Sequence, residues 1–269
     1  MPFALLRRVL YPLAVASIWL LVGIPDASGG PPLTVDDTET LDRGQFELFT
    51  GFSYAKAGSR RAYDTPTELT IGLAKGWECS IRGSYQYFHD GSATPNTVNG
   101  ILSLQIGTKL RVLTESPTVP VSLALSGTLT FPTSSNAKYA AQGKPAGGVF
   151  LIAGRGFGDF TINANVGYAI GGAQKRNAAN DAWFFGLTAQ RIFAKKYTIF
   201  AEAFATPQVG RFREAVINAD GGLLWDLSDR FRITVLLGRG FRPGGAEFVG
   251  NIGFLVSLGP KPVAEKEVK

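Results

Sequence analysis

From residue 44 onward the chain alternates apolar and polar side chains with a period of two. In 77–87, Trp77, Cys79, Ile81, Gly83, Tyr85 and Tyr87 interleave with Glu78, Ser80, Arg82, Ser84 and Gln86. A helix would scatter these two sets around its circumference, whereas a strand puts one on each face. The same alternation separates Leu102, Leu104, Ile106, Leu110 and Val112 from Asn99, Ser103, Gln105, Lys109 and Arg111. It recurs where Phe160, Ile162, Val166 and Tyr168 oppose Thr161, Asn163 and Asn165.

The pattern predicts twelve strands, at about 44–54, 63–73, 77–88, 98–113, 119–131, 146–156, 159–170, 182–193, 197–206, 214–226, 230–240 and 247–259. Most reach the roughly 9–11 residues that a tilted strand needs to cross a membrane, against about five or six in soluble domains. Odd-numbered strands are followed by polar loops such as 55–62, 89–97, 132–146 and 171–181. Even-numbered ones are followed mostly by tight turns, including Ala74-Lys75-Gly76 and Gly156-Phe157-Gly158. This is the rhythm of an up-and-down barrel with short periplasmic turns and longer outer loops. The fold class read from it is all-β, a transmembrane antiparallel β-barrel of about 12 strands. Closure removes the strand edges that lipid cannot satisfy.

Alternation alone does not separate this arrangement from a soluble sandwich with its oily face inward. Aromatic placement favours the barrel. Trp77, Phe160, Phe193, Tyr197, Trp225 and Phe231 fall at the short-turn ends, and Tyr54, Tyr63, Tyr85, Tyr87, Phe131, Tyr168 and Trp183 at the long-loop ends, as two girdles would require.

The leading residues follow different logic. Arg7 and Arg8 precede an apolar run from Val9 to Ile24, broken by Pro12, and Ala27-Ser28-Gly29 supplies small residues as a cleavage site prefers. Residues 1–29 are read as a secretory signal, 30–43 as a short periplasmic segment too brief to plug the lumen, 44–259 as the barrel, and 260–269 as a charged periplasmic tail. The expected location is the outer membrane of a Gram-negative-type envelope. The expected partners are membrane lipid, outer-leaflet lipopolysaccharide, the outer-membrane assembly machinery and a small solute.

Composition narrows the chemistry. Charged residues are 18%, and there is one histidine and one cysteine. Those counts exclude a disulfide framework or a Cys/His zinc cluster. No cofactor is expected. The net charge of +6 comes from basic residues spread along the chain without a stripe, so nucleic acid is not expected as a partner. Gly154-Arg155-Gly156-Phe157-Gly158 lies between strands with no helix following, so it reads as a hairpin turn and not a phosphate loop. His89 stands beside Asp90 in an expected outer loop, with no serine in a recognisable motif.

If the apolar set meets lipid, the other set lines the lumen. Glu47, Glu68, Glu78, Arg82, Lys109, Arg111, Asp220, Arg232 and Glu247 then form a wall charged with both signs. Phe150, Asn163, Asn165, Phe184, Phe200, Glu202 and Phe204 form a mainly neutral, aromatic wall. The asymmetry suits small amphipathic or aromatic solutes, the Phe wall meeting an apolar body. The same residues would equally serve to fill or brace the barrel.

Several runs resemble one family. Asp42-Arg43-Gly44-Gln45-Phe46-Glu47-Leu48, then Tyr63-Asp64-Thr65-Pro66-Thr67-Glu68-Leu69, are similar to the opening blocks of the MetA-pathway of phenol degradation family of outer-membrane transporters. Phe131-Pro132-Thr133-Ser134, Asn165-Val166-Gly167-Tyr168 and Asp220-Gly221-Gly222 match its later ones. The resemblance spans roughly 38–258 and implies an exported barrel associated with uptake of aromatic or other hydrophobic compounds. The end of the chain departs from common barrels, since Leu258-Gly259 and a charged tail replace a terminal aromatic. The reading is therefore a passive pore or transporter, not an enzyme. A closed structural or adhesive barrel, and a membrane lipid hydrolase, stay as alternatives.

Overall fold

The computed structural model describes residues 32–91, 96–133, 145–171, 181–209, 212, 215–241 and 245–259. The signal expected in 1–29, the tail 260–269 and most of the long loops lie outside these residues.

Twelve strands run β1 (Phe46–Ala57), β2 (Arg60–Ala74), β3 (Trp77–Asp90), β4 (Asn96–Leu113), β5 (Ser122–Pro132), β6 (Ala146–Phe157), β7 (Phe160–Ile170), β8 (Ala182–Phe193), β9 (Tyr197–Ala205), β10 (Ile217–Ser228), β11 (Phe231–Gly240) and β12 (Phe248–Leu258). Each pairs antiparallel with its sequence neighbours, and β1 pairs with β12, Phe46 opposite Leu258, to close the barrel. No hydrogen-bonding edge is left facing lipid.

The two faces are inverted relative to a soluble protein. Leu125, Leu151 and Val166 sit in one ladder row and Val149 beside them is 66% exposed, whereas Asn163 and Thr188 on the opposite face are 1% and 0% exposed. At the end carrying the first and last strand termini, Tyr197 and Trp225 stack at 5.9 Å, and Arg155 and Arg191 lie over Phe157 and Phe193. Long basic side chains on the lipid-facing parity there reach head groups while their stems stay apolar. At the other end Tyr54, Tyr63 and Tyr87 form a row with centroids 5.1 and 5.9 Å apart, and Tyr168 meets Trp183 at 5.1 Å. These are the two aromatic girdles, and the end holding both strand termini is the periplasmic one.

Two connections differ from the sequence reading. The loop expected over 55–62 is absorbed into strands: Ala57 pairs with Arg60, leaving only Gly58 and Ser59 as the turn. Gly58 has φ +61° at the first central position, where a two-residue hairpin of the favoured twist wants a left-handed residue. His89 likewise belongs to β3, paired with Arg61 and Thr97, and its Nδ1 lies 3.2 Å from Thr97 Oγ1.

The larger correction concerns 30–43. The described part of this segment, from Pro32, is not outside the barrel but inside it. Val35 and Asp36 are each 1% exposed, among the most buried side chains of the protein. A chain of about a dozen residues is too short to form a domain, but extended it needs no core of its own. It takes its hydrogen bonds from the lumen wall instead.

Candidate functional site

The site is the lumen, and the segment 32–43 divides it. Near the periplasmic rim the segment is held by backbone pairing, with Gly44 N donating to Gly72 O at 2.9 Å and Gln45 N to Asp42 O at 3.0 Å. Moving inward, Leu41 N donates to Glu78 Oε2 at 2.8 Å, and Arg111 Nη1 meets Glu39 Oε2 at 2.8 Å. Lys109 Nζ then gathers three carboxylates: Asp36 at 3.0 Å, Glu78 at 3.4 Å and Asp37 at 3.5 Å. With its amide oriented to meet its partners, Asn165 donates to Asp36 O at 2.9 Å and accepts from Asp36 N at 2.6 Å. Finally Thr34 N and Val35 N donate to the two oxygens of Glu202 at 2.8 and 3.0 Å. The strap's backbone groups thereby find partners that a buried extended chain lacks on its own.

Packing matches this polar anchoring. Val35 sits on Phe150 and Phe184, whose rings meet edge to face at 5.8 Å, and Phe204 stacks on Phe184 at 6.2 Å. Leu33 packs against Phe200, Leu224 and Leu236. Room for the strap comes from lumen-facing glycines. A Cβ at Gly186 would stand 2.6 Å from Val35 Cγ2, and one at Gly154 would stand 2.9 Å from Thr38 Oγ1. Gly186→Leu should therefore expel Val35 while leaving every ion pair intact. Faster cleavage of the strap by added protease, with barrel mobility on gels unchanged, is the expected result.

The sequence-derived lumen residues fall into three groups. Glu78, Lys109, Arg111, Asn165 and Glu202 hold the strap. Asn163 is buried close to Thr38 beside Gly154, and Phe150 and Phe184 lie beneath Val35. The aromatic wall expected to meet solute is thus largely covered by the strap. Phe200 seats Leu33. Phe204 borders open space.

Among the described residues, open space includes two cavities on the side of the barrel built by β1–β3 and β10–β12. The periplasmic one, about 310 Å³, is lined by Glu47, Glu68, Glu78, Lys109, Arg232 and the strap's Asp37 and Glu39. The outer one, about 190 Å³, is bordered by Phe49, Arg82, Phe204, Asp220, Leu236 and Asn251. Leu33 borders both. Glu47 accepts from Ser257 Oγ at 2.9 Å, and Arg232 forks onto Asp226 at 2.6 and 3.3 Å. Glu247 stands apart. It lies exposed at the outer rim, 3.5 Å from Lys56, because it precedes β12 and never enters the lumen.

Leu33, Val35, Asp36, Asp37 and Glu39 of the strap are lumen residues that sequence reading missed, as are the inward-facing apolar Phe49, Leu224 and Leu236. One signal pointed to the strap: Lys109 and Arg111 share a face of β4 two residues apart, and acidic residues cluster at 36–39. Among the described residues no group of three His, Cys, Asp or Glu side chains is placed to hold a metal ion.

Comparison with known proteins adds the lineage. No curated protein matches the chain. Among solved structures, an outer membrane channel from Pseudomonas putida F1 aligns over 82% of this chain and 98% of its own, with TM-score 0.64 and 12% identity. The KdgM porin aligns over 79% and 99%, with TM-score 0.58 and 10% identity. The CymD monoaromatic hydrocarbon channel aligns over 82% and 90%, with TM-score 0.50 and 8% identity. At such identities the likeness is one of fold, that of an outer-membrane barrel. The family model described as "Putative MetA-pathway of phenol degradation" matches residues 32–256, a span that takes in the strap as well as nearly all of the barrel. The chain is accordingly a member of the MetA-pathway of phenol degradation family of outer-membrane β-barrels.

Proposed function

We propose that the protein is a passive outer-membrane channel for small solutes with an apolar body, moving between the strap and the wall formed by β1–β3 and β10–β12. The observation that carries this reading is the incompletely filled lumen: two cavities of about 190 and 310 Å³ that share Leu33 as their common border. A dry cavity of about 150 Å³ accommodates one benzene ring, so the outer cavity has the size for a single-ring compound. Its lining mixes Phe49, Phe204 and Leu236 with Asn251, Arg82 and Asp220, a combination of apolar bulk and a few oriented polar groups that ligand sites use. The fold neighbours include the KdgM porin and the CymD monoaromatic hydrocarbon channel, in keeping with this role.

Passage requires Leu33 to give way. It is a side chain on a strap outside the sheet, so its displacement breaks no ladder hydrogen bond. Residues 1–29 act as an export signal and 260–269 as a periplasmic tail. The barrel is inserted by the assembly machinery, and its outer girdle meets lipopolysaccharide. His89, the sole histidine of the sequence, lies beside Thr97 in the β3–β4 ladder, its Nδ1 3.2 Å from Thr97 Oγ1.

The test is reconstitution. Purified protein in planar bilayers should give small, discrete conductance steps, and liposomes carrying it should admit single-ring aromatic solutes faster than disaccharides. Absence of both signals would favour the closed-barrel alternative, for which the strap is the observation in hand.

A further inference from the structure

We infer that the outer cavity opens sideways into the bilayer through a seam between β1 and β2, and that uncharged, apolar solutes leave the lumen there. This rests on the channel reading above and adds an exit that does not need Leu33 to move.

The seam is a gap in the β1–β2 ladder. The two strands pair from Phe46↔Ile71 to Thr50↔Thr67, and again from Ser53↔Asp64 to Ala57↔Arg60. Carried through, the same register would set Gly51 opposite Pro66 and Phe52 opposite Thr65, and neither pair forms. Proline has no N–H to give a neighbouring strand, so in sheets it is confined to edges, strand starts and bulges. Pro66 instead lies inside a strand of a closed barrel. Both flanks of the seam hold: Gly51 and Phe52 pair with Gly253 and Ile252 of β12, and Thr65 and Pro66 with Tyr85 and Ser84 of β3. Beside it, the β3–β4 register shifts between Gly83 and Tyr85, around the residue that faces Pro66. The other register shifts lie at strand ends.

What stands on each side of the gap suits a route. On the lumen side Phe49, Ser53 and Pro66 all border the outer cavity, and the Phe49 ring lies so close over Gly51 and Gly253 that a Cβ at either would crowd it. That ring is the inner cover. On the lipid side Thr50, Thr65 and Thr67 are exposed around the gap, with Gly83 opposite Thr67, whereas the same face of β5–β8 carries Leu125, Leu151, Val166 and Phe185 in one row. Acyl chain offers hydroxyls no partner. Thr50 Oγ1 lies 3.3 Å from Thr67 Oγ1, and Thr65 Oγ1 donates to Tyr85 O at 3.3 Å.

Height in the membrane follows from the girdle. Tyr54 and Tyr63 stand two residues beyond Phe52 and Thr65 toward the outer rim, about 7 Å at the rise of a strand. The seam therefore meets acyl chain in the outer leaflet. An uncharged apolar solute lowers its free energy on passing from water to acyl chain, while an ion does not and keeps to the axis of the barrel.

The experiment compares the wild-type protein with Pro66→Val, which supplies the missing N–H, and Thr67→Trp, which fills the lipid-side hollow with a ring. Toluene uptake is read in vesicles with a lipopolysaccharide outer leaflet, against protein-free vesicles, and potassium chloride conductance in planar bilayers. Protein-dependent toluene uptake should fall about fivefold in Pro66→Val, which at about 1.4 kcal/mol per decade is the roughly 1 kcal/mol of one hydrogen bond. It should fall in Thr67→Trp as well, with conductance unchanged in both. Thr67→Trp sets an apolar ring against lipid and alters no backbone group, so the barrel assembles with it. Uptake at the wild-type level in either variant, uptake and conductance falling together, or a wild-type protein that conducts without admitting toluene overturns the inference and leaves the channel reading standing. Neither conductance nor uptake in the wild type defeats the channel reading itself.

Discussion

Lys109→Met should open the lumen. The Lys109 ammonium and the Asp36 carboxylate are both nearly inaccessible to solvent, 8% and 1%, and 3.0 Å apart. Removing one partner of a buried pair strands the other, at a cost of about 3–5 kcal/mol. At about 1.4 kcal/mol per decade, the ratio of docked to released strap falls by about two to four decades. Lys109 also holds Asp37 and Glu78, so all three carboxylates are left facing one another without their shared cation. The strap should leave the wall over its 36–39 stretch. Single-channel conductance should rise severalfold, and its amides should lose protection from hydrogen exchange.

Restoration in the double variant makes the test specific. With Asp36→Leu added to Lys109→Met, the most deeply buried of the three carboxylates is no longer stranded and two apolar groups of similar bulk replace the pair, a change that is often neutral or stabilising, while Asp37 and Glu78 stay without their shared cation. Conductance should return toward the wild-type value. If Lys109→Met conducts like wild type, the strap is held by Glu202 and the Val35 contacts alone, and the ion cluster is incidental.

Leu151→Arg is expected to destabilise the barrel strongly. Leu151 sits midway along β6 on the lipid-facing row, 49% exposed to what is acyl chain in the membrane, with Leu125 and Val166 as its ladder partners. An arginine at the bilayer midplane of such a barrel costs about 2–4 kcal/mol, and no rim is near enough for it to snorkel fully. The paired substitution is Thr70→Arg, which puts the same charge at the wall of the periplasmic cavity among Glu47, Glu68 and Glu78. It should cost little. Urea-induced unfolding in phospholipid vesicles reads both. Equal penalties at the two positions, or a larger one at Thr70, would contradict the inverted arrangement of faces.

The contrast between these two predictions follows what each level of description is able to say. Period-two alternation is local: whether Val149 and Leu151 share a face is settled by backbone geometry within three residues. Hence the strands, their parity and the two girdles were legible in the sequence, as was the lumen-facing side of Lys109, Phe150 or Glu202. Where local cues misled, the reason was also local. Polar residues in 55–62 looked like loop, but a left-handed Gly58 lets the hairpin zip to its tip.

Parity tells which residues face inward, not what they meet there. Phe150 and Phe184 have the correct face yet touch Val35 and not solute, and Glu202 accepts from Thr34, 168 positions away. By itself the sequence determined a closed twelve-stranded cylinder with oily stripes outside and polar stripes inside, because strand length and alternation are carried by each segment independently. Only the tertiary structure decided that residues 32–43 run inside that lumen and leave open space on the side built by β1–β3 and β10–β12. The strap's seat is assembled from β3, β4 and β6–β10, and none of those strands predicts its neighbour across the barrel until the sheet has closed.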